Sequence, residues 1–147
     1  MNIVLAGSGG YIGGRLKKEF YKKHKVYDYK KKIPKKVDIL INVAGPDREF
    51  CNKNKKKGIN ERIKINERIL KIIKKCKIKK FIHLSTIHVY KQSSIINENS
   101  NLKKKDPYSI SHITSENFIN KNFKYECEYL ILRASNCFGY PTKLNSN

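Results

Sequence analysis

An α/β fold built on a parallel sheet is predicted by three features of this 147-residue chain. Short apolar runs alternate with stretches whose apolar residues recur at helical spacing. The runs carry few polar side chains, as strands buried on both faces do. Three glycines, Gly7, Gly10 and Gly13, join the first run to the first helical stretch.

Each element follows in order. Ile3-Val4-Leu5-Ala6 marks a first strand at about 2–6, and Ile12, Leu16 and Phe20 mark a helix at about 11–23. A second strand runs from Lys25 to Lys30 and a third from Val37 to Val43. Only Lys31 to Lys36 lie between them, with Pro34 inside. A parallel crossover normally takes a dozen residues or more, so this one is expected to be an extended loop that leaves a patch of sheet uncovered. A long helix carries apolar Ile59, Ile63, Ile69, Ile72, Ile73 and Cys76. Phe81 to Leu84 form a fourth strand, followed by a polar loop from Lys91 to Pro107. A helix starts near Tyr108 and includes Ile113 and Phe118, and Tyr129 to Leu132 form a fifth strand. The order predicts one domain over 1–147: a Rossmann-like doubly wound sheet with helices on both faces and a shortened crossover between the second and third strands. In such sheets a ligand sits beyond the carboxyl ends of the strands.

The glycines point to that ligand. A strand turning through glycines into a helix presents backbone N–H groups at the helix's positive end, which suits a diphosphate. The spacing is Gly-x-x-Gly-x-x-Gly, with Tyr11 and Ile12 between the last two glycines. The end of the second strand sets cofactor preference, an acid accepting from the adenosine ribose and a base accommodating a 2′-phosphate. Strand alternation places Asp28 and Lys30 on one side with Lys30 nearer the carboxyl end, which favours NADP over NAD. One more lysine run in a lysine-rich chain is the plainer reading of Lys30-Lys31-Lys32.

Thirty-three basic against twelve acidic residues give a formal charge of +21. Only five of the bases are arginine (Arg15, Arg48, Arg62, Arg68 and Arg133), and no cluster of arginine forks with stacking aromatics stands out, so specific nucleic-acid binding is not expected. Lysine, isoleucine and asparagine are the residues an AT-rich genome over-supplies, and solvated lysine faces account for the charge. Cys51, Cys76, Cys127 and Cys137 form no C-x-x-C pair and have no histidine at ligand spacing, so neither a metal site nor a disulfide framework is expected. With no leader and no membrane-spanning run in the sequence, a cytoplasmic location is expected.

Longer motifs are more specific. Leu84-Ser85-Thr86-Ile87-His88-Val89-Tyr90 closes the fourth strand, and Pro107-Tyr108-Ser109-Ile110-Ser111-His112 opens the next helix. Val37 to Ala44, Asn66 ahead of Ile69-Leu70, and Arg133-Ala134-Ser135-Asn136-Cys137-Phe138-Gly139 follow in the same order. Together with the glycine turn, these resemble the extended short-chain dehydrogenase/reductase family, the NAD(P)-dependent epimerases and dehydratases acting largely on nucleotide sugars. The resemblance runs collinearly along the chain.

It implies a site. Gly7, Gly10, Tyr11, Ile12, Gly13, Lys30, Ala44 and Asn66 would contact the cofactor, Thr86 would polarise the substrate oxygen, and Tyr108 would be the general acid/base. A free phenol ionises near pH 10, so the family places a lysine four residues after this tyrosine to ease its ionisation and hold the nicotinamide ribose. Here that position is His112, mostly neutral at pH 7 and able to contact a ribose hydroxyl. His83 and His88 read as structural or loop residues. The chain also stops soon after Asn136–Gly139, before the part that binds the sugar in the family. A fragment is therefore expected, its tail Leu144 to Asn147 carrying no terminating signal and its sheet edge left exposed. Two readings stay open: the cofactor half of an enzyme, with homodimerisation implied by the resemblance, or a non-catalytic NAD(P)-binding module.

Overall fold

The computed structural model describes residues 1–103 and 106–137. Five strands form one sheet in which every pairing is parallel. They are β1 (Asn2–Ala6), β2 (Lys25–Asp28), β3 (Lys36–Asn42), β4 (Lys77–Thr86) and β5 (Glu128–Ala134), ordered β2-β1-β3-β4-β5. The helices are α1 (Tyr11–Tyr21), α2 (Arg48–Lys53), α3 (Lys55–Lys75) and α4 (Pro107–Asn122), with one 3₁₀ turn at Ile87–Val89. The doubly wound architecture is as expected, although α2 had no sequence signal and β4 is longer than its apolar centre.

α1 covers one face, where Leu16 and Phe20 pack on Ile3, Leu5 and Ile41. α3 and α4 cover the other, over Val4, Leu40, Ile69, Phe81, Ile119 and Phe123. Winding reverses between β1 and β3, the switch point at which open α/β sheets leave a crevice for ligand.

The short crossover has a geometric account. Leu5 pairs with both Asp28 and Ile41, so Asp28 lies level with Ile41. The chain must descend five residues and cross two strand spacings to reach Lys36, a diagonal of about 19 Å. Eight residues of extended chain reach about 27 Å, enough for a taut loop and too little for a helix. The expected uncovered patch is not found there. Tyr29 is 7% exposed, Ile33 packs beside it, and the two complete the core on the α3 face. The bare apolar surface lies at the opposite edge instead, where Leu130 and Leu132 of β5 are 44% and 43% exposed.

Helix α3 buries Gly58, Arg62, Asn66, Ile69 and Ile73. Ile59 and Ile63, two of the apolar residues that mark this helix in the sequence, are only half-buried. The face turned inward is polar in its first half because it meets polar residues of α4, so apolar periodicity alone picks the neighbouring stripe.

Candidate active site

The glycine turn is built by close approach. Gly7 has φ +92°, and a Cβ there would meet the Ala44 backbone nitrogen at 2.8 Å. A Cβ on Gly13 would sit 1.9 Å from the Gly7 carbonyl oxygen. Both positions therefore require glycine for β1, the start of α1 and the end of β3 to converge. α1 begins after Gly10 with no side-chain cap and no acidic residue in its first turn. Its positive end meets a cavity of about 1050 Å³ lined by Gly7, Gly10, Tyr11, Ile12, Gly13 and Ala44.

Asp28 and Lys30 line the same cavity. The strand stops at Asp28, so side-chain alternation does not extend to Lys30 as the sequence suggested. The Lys30 backbone N–H instead donates to Asp28 Oδ1 at 2.7 Å, and Ser8 Oγ donates to Asp28 Oδ2 at 2.6 Å. Burial works to raise the Asp28 carboxyl, but these two donors outweigh it and hold it below its ordinary value. The Lys30 ammonium lies 5.8 Å from the Tyr29 ring centroid.

A second cavity, about 600 Å³, adjoins the first, sharing Tyr11, Ile12 and Ala44 with it. Thr86, Tyr108 and His112 line it together. Thr86 ends β4, and its Oγ accepts from the His88 N–H at 3.3 Å. Asp106 caps α4 by accepting from the Ser109 N–H at 3.0 Å, and Pro107 stands at the first helical position, where it costs no hydrogen bond. These two signals fix the helix start and place Tyr108 in the first turn, beside the strand end. One turn later the His112 ring meets the Tyr108 ring edge-on, centroids 4.6 Å apart. Burial, and then the charge of Arg62, push His112 down to about 2, so it is neutral across the working pH range. Its Nδ1 lies 3.4 Å from Ser85 Oγ, and its buried Nε2 has no hydrogen-bond partner among the described residues.

Beneath the cavity runs a layer of satisfied polar groups. Asn66 Nδ2 donates to Ser115 Oγ at 2.8 Å and Asn66 Oδ1 accepts from Asn42 Nδ2 at 3.3 Å. Its amide is held by these bonds and lines neither of the two cavities, whereas the resemblance implies a cofactor contact. His83 completes the layer, 3.1 Å from Asn42 Nδ2 and 3.3 Å from Ser115 Oγ, the structural place expected of it. Next to it Glu116, 3% exposed, accepts from Ser85 Oγ and pairs with Arg133 at 2.7 Å. Arg133 also donates to Tyr90 Oη at 2.7 Å, and these bonds, Glu116 first, hold its guanidinium above the ordinary arginine range. Phe138 and Gly139 of the same motif lie outside the described residues.

The layer makes the fold acid-sensitive. Burial holds His83 down to about 3, and His112 is lower still. Both bind a proton more readily unfolded than folded, so stability is full above about pH 6.5 and falls as the pH drops from there toward 3. Urea unfolding at pH 7 and pH 5 is expected to show a loss of about 2 kcal/mol per histidine at the lower pH. A stability that stays flat across this interval contradicts buried neutral histidines.

Two arginines in the cavity were not among the expected site residues. Arg48 of α2 and Arg62 of α3 place their guanidinium carbons 5.3 Å and 5.5 Å from the Tyr108 ring centroid. Arg62 is 5% exposed and one helical turn from Asn66, so a charge recurring within an otherwise buried stripe is the signal that could have revealed it.

A glycine turn at the switch point, with a threonine and a helix-borne tyrosine sharing the adjoining cavity, defines a Rossmann-like α/β domain with its candidate site at the carboxyl ends of the strands. A family model described as the NAD dependent epimerase/dehydratase family matches residues 27–147, and the chain belongs to that family. It is 32% identical over 129 residues to a dTDP-D-glucose 4,6-dehydratase of Dictyostelium discoideum, covering 74% of this chain and 29% of that protein. Solved structures share the fold at lower identity. RMD from Pseudomonas aeruginosa, complexed with NADPH, superposes with a TM-score of 0.82 at 16% identity, over 97% of this chain and 56% of that one. UDP-glucuronic acid 4-epimerase from Bacillus cereus, in complex with NAD, gives 0.79 at 19% identity, over 97% and 58%. The chain thus spans under a third of the curated relative and little more than half of these structures. No described helix is long and apolar enough to cross a membrane.

Proposed function

We propose that this chain is the cofactor-binding portion of an NAD(P)-dependent epimerase, dehydratase or reductase acting on a nucleotide sugar. The observation that carries the reading is the shared cavity: Thr86 and Tyr108 stand together in a space that opens onto the glycine turn. A module that had lost its chemistry has no need to keep this pair converging.

The residues present fit a nicotinamide dinucleotide. The cradle at Gly7 and Gly13 admits no Cβ, and the uncapped start of α1 suits a diphosphate. Asp28 and Lys30 stand where the adenosine ribose would lie, Ala44 walls the passage between the cavities, and the unpartnered His112 Nε2 suits a ribose hydroxyl. When bound, the dinucleotide supplies the hydride acceptor and donor that no side chain of this chain provides. The Thr86 hydroxyl donates to the oxygen of the sugar carbon undergoing oxidation. Tyr108 takes the proton of that oxygen as the carbonyl forms and returns it on reduction.

NAD and NADP compete at one carboxylate. Asp28 repels a 2′-phosphate and accepts from a ribose hydroxyl, whereas Lys30 to Lys32 favour the phosphate. Asp28→Ser is expected to shift the affinity ratio toward NADPH by about tenfold, read by fluorescence titration with NADPH and NADH. An unchanged ratio contradicts placing the adenosine ribose at Asp28. Binding of the reduced cofactor by the chain, then turnover of nucleotide sugars by the protein that contains it, tests the whole reading.

A further inference from the structure

Tyr108 is without the lysine that the resemblance leads one to expect, and His112 carries no charge in its place. A cation nevertheless stands against the phenol ring from a different helix. Arg62 reaches in from α3 with its guanidinium carbon 5.5 Å from the Tyr108 ring centroid. Nε donates to Ser111 Oγ at 2.9 Å and one Nη donates to the Pro46 carbonyl at 2.7 Å. The other Nη fills the space beside Gly45, where a Cβ would come within 2.2 Å of it. The side chain is locked on three sides.

What it lacks is a counter-charge. Among the described residues no carboxylate lies within ion-pair range of Arg62, although it is 5% exposed. A buried cation without an anion is costly, by several kcal/mol in typical proteins, and burial accordingly lowers the Arg62 guanidinium from its ordinary value. Tyr108 is the first group to act against that burial, ahead of Cys51. The buried charge of Arg62, without a carboxylate partner, thus stands directly against the Tyr108 ring.

We propose that Arg62 is the positioning cation of Tyr108, supplying from α3 the positive field that the family's lysine supplies from α4. The inference rests on the role given to Tyr108 above. Arg62 favours the ionised phenol while the proton passes between Tyr108 and the substrate oxygen, and itself exchanges none. Other groups face the same space: Arg48 and Cys51 from α2, Asp47, His88 from the 3₁₀ turn and His112 from α4. Of the two arginines near the ring, Arg48 is exposed and screened by water, whereas Arg62 is not. A lysine at position 112 would bring a second buried cation beside Arg62, so His112→Lys alone brings no gain.

The ionisation readout needs neither cofactor nor substrate, so its failure is separable from failure of the proposed function. Tyrosine Cζ is labelled with ¹³C, Tyr108 is assigned by its loss in Tyr108→Phe, and its ionisation is followed by NMR against pH. Arg62→Gln is expected to weaken Tyr108 ionisation about tenfold, Arg48→Gln less than twofold, and Arg62→Gln/His112→Lys to recover most of the loss. Ionisation at the same pH in folded Arg62→Gln as in the unsubstituted chain overturns the proposal. So does a loss of NADH affinity in that variant with Tyr108 unmoved, since Arg62 would then serve a cofactor anion. If Arg62→Gln does not fold, the unsubstituted chain decides: the Arg62 Cζ resonance shifts at the pH where Tyr108 ionises, and a flat Arg62 signal through that transition refutes the coupling.

Discussion

Gly13→Ala is expected to abolish binding of nicotinamide dinucleotide by this chain, with an affinity loss of about a hundredfold or more. The added methyl would lie 1.9 Å from the Gly7 carbonyl oxygen and 2.6 Å from its carbon. Both are backbone atoms, so the clash is relieved only by moving the start of α1 away from the turn. That movement separates the N–H groups that suit the diphosphate. Overpacking of this kind also costs about 1–3 kcal/mol of stability. Gly9→Ala is the matching control for stability, because nothing lies within 4 Å of a Cβ there. Thermal unfolding of the two variants and NADH titration of Gly13→Ala check the expectation. Full-affinity binding by Gly13→Ala contradicts placing the diphosphate on this turn.

Tyr108→Phe is expected to lower turnover of the protein containing this chain by about a thousandfold, with NADH affinity unchanged within about twofold. The substitution removes one oxygen and leaves the edge-on contact with His112 and the ring's contacts with the two arginines in place. Only the proton relay is lost, and a positioned acid/base contributes about 10²–10⁴ in rate. Turnover is followed by product formation from a nucleotide sugar and binding by fluorescence. A variant that keeps its full rate would show that the proton passes through another group.

The sequence was most legible where backbone and packing speak with the same signal. Ile3 to Ala6 followed by three glycines defined β1, the turn and α1, because an apolar run and residues without Cβ leave few alternatives. Thr86 and Tyr108 were legible through the motifs around them, and the structure brings both into one cavity. Polar residues in the interior were not. Arg62, Asn66, His83 and Glu116 are buried polar residues that hydrophobic periodicity does not count as core, and hydrogen bonds to Ser111, Asn42, Ser115 and Ser85 make their burial tolerable. Asn66 is expected at the cofactor only through the resemblance, which carries no expectation for Arg62 on the same face. Lys30 was misplaced for a local reason: the chain leaves the sheet at Asp28 and turns, so a two-residue period no longer applies. The taut β2–β3 loop was correctly read as extended, but its cover for the sheet came from Tyr29 and Ile33, which no periodic pattern announces.

The proposed function requires that residues 1–147 hold a nicotinamide dinucleotide on the glycine turn. Fluorescence titration of the folded 147-residue chain with NADH, alongside Gly13→Ala, tests it most directly. Saturable binding by the chain, and its loss in the variant, are expected. A chain that is folded by circular dichroism yet binds neither NADH nor NADPH would contradict it.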